Sequence, residues 1–132
     1  MKLTTCLLSV IVGVLLSALP AQAQEHAAPG KPQQFVYMLR VAKHLQDEAK
    51  WSEKDKAATT QHFERLKKAT EAGQVILAGR TSESLDKTFG IVIFEADSEA
   101  AARKFMQDDP AVKAGVMKAT LHPYAIALQR KP

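Results

Sequence analysis

His62 and Asp109 are the side chains of this 132-residue chain best suited to chemistry. Histidine titrates near neutrality, so a placed imidazole can take and return a proton at ordinary pH if a carboxylate holds its tautomer. On a helix, His62 falls about 40° from Leu66, at the border of the apolar stripe, where its ring can face a cleft. Asp109, followed by Pro110, is the acid to pair with it, and Asp108 is a decoy beside it. Each residue also has a plainer role. His62 can be a half-buried histidine bonded to a carbonyl, and Asp109 is explained as the N-cap of a helix opened by proline. The two roles of Asp109 are compatible, because one oxygen can cap while the other accepts from an imidazole. Arg80, after Gly79 at a strand end, and Arg40, within a strand, are the candidate substrate-binding cations, since a guanidinium presents a fork of donors to an anion. The competing reading of Arg80 is a solvated strand end.

Other chemistries are absent from the pattern. The four histidines (His26, His44, His62 and His122) show no HxH, HxxxH or HExxH spacing, and the one cysteine is Cys6. A metal site and a thiol nucleophile are therefore not expected. A phosphate-cradling glycine loop and a GxSxG elbow are missing too, so no cofactor is expected. The formal net charge of +4 falls short of a nucleic-acid footprint, and Arg65, Lys67 and Lys68 read as a solvated helix face. With 46% hydrophobic and 24% charged residues, the chain is an ordinary globular domain of one core.

Residues 1–23 read as an export signal, set apart from the fold. Lys2 is followed by an apolar run from Leu7 to Leu19 and by Ala21-Gln22-Ala23, a small-x-small cleavage pattern. The run is shorter than the roughly 20 residues a bilayer requires. A retained N-terminal anchor is the alternative; after cleavage no membrane association is expected. Cys6 precedes any cleavage point and cannot carry a lipoprotein's lipid. The expected destination is outside the cytoplasm, and the periplasm if the cell is Gram-negative. Residues 24–34, with Pro29, Gly30 and Pro32, form a leader, and 35–132 the domain.

Within the domain, Phe35 to Ala42 alternates as a strand, with Phe35, Tyr37, Leu39 and Val41 on one face. A charged segment with Trp51 leads to a helix over Lys56 to Ala72, with Thr59, Phe63, Leu66 and Thr70 on one side and Gly73 at its end. Strands follow over Gln74–Thr81 and Thr88–Ala96. A helix capped by Ser98 runs to Gln107 with Ala101, Ala102 and Phe105 inward, then comes a turn from Asp109-Pro110, and Val116–Leu128 makes the last strand. The order βαββαβ is an α+β, ferredoxin-like antiparallel sheet with two helices on one face. Val75-Ile76-Leu77 and Ile91-Val92-Ile93-Phe94 are apolar on both faces, so the uncovered face calls for a second copy and a homodimer is expected.

Several stretches resemble the YCII-related family: Tyr37-Met38-Leu39-Arg40, Gln61-His62-Phe63, Gly73 to Arg80, Phe89 to Phe94, Ser98-Glu99-Ala100-Ala101, Asp108 to Val112, and His122-Pro123-Tyr124. The resemblance implies a dimeric α/β barrel and a His–Asp pair in a cleft, which falls on His62 and Asp109. One branch of that family eliminates chloride from a chlorinated hydroxyquinol, a substrate this chain's residues do not specify. The chain departs from the small family members in its export signal and the loop around Trp51. The function expected is cofactor-free acid–base chemistry, lyase- or hydrolase-like, on a small anionic or phenolic molecule. The alternatives are a non-catalytic module that binds a small ligand or builds the dimer, and a haem or oxygenase role, which no histidine here demands.

Overall fold

The computed structural model describes residues 31–130, so the expected export signal lies outside the described residues. The elements are β1 (Gln33–Val41), α1 (Glu53–Glu71), β2 (Val75–Arg80), β3 (Gly90–Ala96), α2 (Glu99–Gln107), α3 (Pro110–Lys113) and β4 (Met117–Pro123). Two short 3-10 turns, Lys43–Leu45 and Glu48–Lys50, lead into α1. The strands form one antiparallel sheet in the order β2-β3-β1-β4. This is the α+β, ferredoxin-like arrangement the element order implies.

The alternation of β1 builds the core. Phe35, Tyr37, Leu39 and Val41 are buried beneath the helices, and each intervening residue turns to the opposite face. Val92 and Phe94 of β3, Leu66 of α1, and Ala102 and Met106 of α2 complete the main cluster. Ala101, expected inward, is exposed, while Ala102 and, one turn later, Met106 take the inner positions. Val41, Leu45, Ala58, Ala111 and Val116 form a second cluster around the start of α1 and α3.

Helix α1 begins three residues before the expected Lys56 because Ser52 and Asp55 form a capping box. The Asp55 amide donates to Ser52 Oγ at 3.2 Å, and the Ser52 amide donates to Asp55 Oδ2 at 2.9 Å. The helix stops at Gly73, whose φ of +80° favours glycine. There the amides of Gly73 and Gln74 reach back to the carbonyls of Thr70 and Ala69. Strand β4 ends at Pro123, short of the expected Leu128, because its partner β1 begins at Gln33 and offers little strand beyond Phe35.

A bulge in β2 has the largest consequence for the site. Val75 pairs with Phe94 on the covered face, but the register slips before Leu77, which pairs with Ile93 on the open face. From there Ala78 and Arg80 return to the covered face, opposite Val92 and Gly90. Without the extra residue, Arg80 would point away from the helices.

Candidate functional site

Asp109 is positioned by its own local chemistry. It caps α3, accepting the Ala111 amide on Oδ1 at 3.0 Å, and Pro110 sets the first helical residue. That cap turns the second oxygen toward α1 and β1, and the residue is fully buried. Oδ2 lies 2.7 Å from His62 Nδ1 and accepts the Tyr37 hydroxyl at 3.1 Å. The structure thus brings together two residues 47 positions apart in the chain.

Burial alone would raise the Asp109 carboxyl, but the hydrogen bond and charge of His62, the Ala111 amide and the Tyr37 hydroxyl outweigh it and hold the group below its ordinary value. Asp109 is therefore an acceptor-only carboxylate, which assigns the Nδ1 proton to His62. In the neutral ring Nε2 then carries the lone pair, and it has no hydrogen-bond partner among the described residues. Burial, followed by the charge of Asp109, pushes the Tyr37 phenol well above the ordinary range, so it stays a protonated donor.

His62 lines a cavity of about 810 Å³ between α1 and the sheet. The cavity exists because the covered face is thin at this end: Ala78 and Gly90 put little or no side chain beneath α1. Phe63, expected among the packed residues of α1, is 68% exposed at this cavity for the same reason. Trp51, Leu85 and Phe89 wall the other side.

Arg80 lines the cavity, as its position on the covered face requires. Arg40 does not. It pairs with Lys118 on the open face, its guanidinium donates to the Lys87 carbonyl at 3.4 Å, and it sits 5.3 Å from the Phe89 ring centre. Strand alternation separates it from His62, so a substrate contact there is replaced by a structural one. His122 pairs with Val36 on that open face, and His44 lies in the first 3-10 turn. No group of three or more His, Cys, Asp or Glu that could hold a metal gathers among the described residues.

A model of the YCII-related domain matches residues 36–121. The chain belongs to the YCII-related family. No curated protein matches it. In this YCII-related chain the matched stretch spans β1 through β4, and so includes Tyr37, His62, Arg80 and Asp109.

Two residues of the site escape a reading of the sequence. Arg65, expected on a solvated basic face, stacks over the Phe105 ring at 4.1 Å and donates Nη2 to the Phe105 carbonyl at 2.8 Å. Its Nη1 is buried without a hydrogen-bond partner, 3.9 Å from Asp109 Oδ2, where it adds positive charge beside the carboxylate. The available signal was its i,i+3 spacing from His62, which puts both on one helix face. Tyr37 gave a clearer signal: a hydroxyl amid a fully buried alternation needs a partner.

Tyr37→Phe is expected to lower stability by about 1.5–3 kcal/mol, the range for a hydrogen bond to a charged group. It also lets the Asp109 carboxyl rise toward its ordinary value. Stability held by a depressed carboxyl is present above the unfolded value and lost as pH falls through the folded one. The part of the acid-induced stability loss that comes from Asp109 should therefore be smaller in the variant and end at higher pH. Urea titrations between pH 2.5 and 6 read both effects, and superimposable acid limbs would contradict this account of Asp109.

Proposed function

We propose that this YCII-related chain is a cofactor-free acid–base catalyst acting on a small organic molecule, with His62 as the proton carrier and Asp109 as its orienting partner. The reading rests on one observation: the 2.7 Å contact of His62 Nδ1 with a buried carboxylate, on a ring that lines a ligand-sized cavity. Nε2 takes a proton from the substrate and returns it, while Asp109 fixes the tautomer and stabilises the imidazolium that forms. Arg80 faces the same space and offsets negative charge on the substrate. Turnover of a found substrate by wild type, His62→Ala and Asp109→Asn is the test. Full turnover in both variants overturns the assignment. The mostly apolar walls of the cavity favour ligand binding without turnover as the second reading; a ligand that stabilises wild type and His62→Ala alike, with no product formed, would select it.

We further propose export to an extracytoplasmic compartment through residues 1–23, and pairing of two copies sheet to sheet. Support for pairing comes from the open face, where Val36, Met38, Ile91 and the 48% exposed Leu77 lie side by side. Sedimentation should give a dimer for wild type and a monomer for Leu77→Asp. A monomeric wild type at micromolar concentration excludes the pairing.

A further inference from the structure

The neutral polar groups that line the cavity already have partners. Thr59, Thr70 and Thr88 donate their hydroxyls to the carbonyls of Asp55, Leu66 and Thr81 at 3.0, 2.8 and 2.9 Å. Trp51 Nε1 donates to the Leu45 carbonyl at 2.6 Å. A ligand rich in hydroxyls, such as a sugar or nucleoside, would find no free donor on these side chains for its own buried oxygens, at a penalty of about 1–3 kcal/mol for each one left unmatched. What remains is an apolar surface from Leu39, Phe63, Leu66, Leu85, Phe89 and Val92, together with a few charged groups.

Those charges are Lys67, Glu71, Arg80 and, when protonated, His62. Lys67, Glu71 and Arg80 make no hydrogen bond or ion pair through their side chains among the described residues. Lys67 and Glu71 stand four residues apart on one helix face and offset each other. Arg80 comes from the opposite wall, on β2, and its charge is left over. A guanidinium fork matches a carboxylate in two parallel hydrogen bonds. One unbalanced cation suits a single negative charge better than a phosphate dianion.

We infer that the cavity takes an amphipathic monocarboxylate, its charged end on Arg80 and its apolar body lying under α1 toward His62. The inference deepens the proposed function and rests on that reading's placement of the ligand in this cavity, but it needs no turnover. The volume of about 810 Å³ lies within the roughly 300–1,000 Å³ of small-molecule sites and admits a medium-length alkyl chain or fused rings.

Calorimetric titration of the full chain with octanoate and 2-naphthoate, each beside its neutral primary amide, tests the claim. The acids should bind at least ten-fold more tightly than the amides. Arg80→Gln should abolish that preference and leave the amides unchanged; its exposed side chain holds no contact that folding requires. His62→Ala should retain the preference. Equal binding of acid and amide, no binding of either acid at millimolar concentration, or a preference that survives Arg80→Gln would each overturn the inference. So would its loss in His62→Ala, which would move the anion to the imidazole. A preserved acid preference without turnover of any acid upholds the inference while the catalytic reading fails separately.

Discussion

Asp109→Ala should destabilise the fold by about 3–5 kcal/mol, the range for removing one partner of a buried ion pair. Three donors lose their acceptor together: the Ala111 amide at the start of α3, the Tyr37 hydroxyl and His62 Nδ1. Arg65, whose Nη1 already lacks a hydrogen-bond partner, loses its neighbouring counter-charge as well. Asp108 is the internal control. Its carboxylate pairs with Lys104 on the surface, where solvent screens the interaction, so Asp108→Ala should change stability little. Urea midpoints of the two variants settle the matter, and equal losses at 108 and 109 would show that the buried network carries no special weight. The pH dependence provides a second check. The advantage of wild type over Asp109→Ala is complete above the ordinary carboxyl value of 3.8 and shrinks as pH falls below it, through the lower value in the folded chain.

That dependence on one buried aspartate was partly legible in the chain. Asp109-Pro110 announces a helix cap, and the cap geometry fixes where the carboxylate sits. The partner residues differ in how they could be read. Tyr37 stands in an alternation where Phe35 and Leu39 are apolar and buried, so its hydroxyl had to find an acceptor inside. Arg65 neighbours Lys67 and Lys68 and looks solvated until Phe105, on another element, is placed against it. Pairing across elements is what local pattern does not encode.

Arg80 and Arg40 show the same boundary between local and non-local information. The alternation of β1 puts Arg40 opposite in sense to Tyr37 and Leu39, so its place on the open face follows directly from the sequence pattern. Arg80 depends on the bulge between Val75 and Leu77, and three consecutive apolar residues look alike with or without a bulge. The slip is specified by the pairing with β3, and it reverses the face of every later side chain in β2. The start of α1 was readable: Ser52 and Asp55 have capping-box spacing, although Asp replaces the more usual Glu or Gln. Trp51 and the charged residues around it obscure that signal.

Asp109→Asn separates the fold from the chemistry at the same position. The amide keeps the size of the carboxylate and still offers an oxygen to the Ala111 amide, so the variant should remain folded more readily than Asp109→Ala. It also brings a donor to where the carboxylate only accepted. An amide NH2 facing His62 turns Nδ1 into the acceptor and moves the imidazole proton to Nε2, the nitrogen that must be free to accept from substrate. Turnover should then fall by about 10²- to 10⁴-fold, the contribution of a correctly placed proton-transfer group, with His62→Ala falling within the same range. Nitrogen-15 NMR of the histidine ring reads the tautomer without any substrate. Wild type at a pH where His62 is neutral should show a protonated Nδ1, and Asp109→Asn a protonated Nε2. A variant with the wild-type tautomer but impaired turnover would place the role of Asp109 in charge stabilisation of the imidazolium. If both tautomer and turnover are unchanged, proton transfer through this pair is excluded.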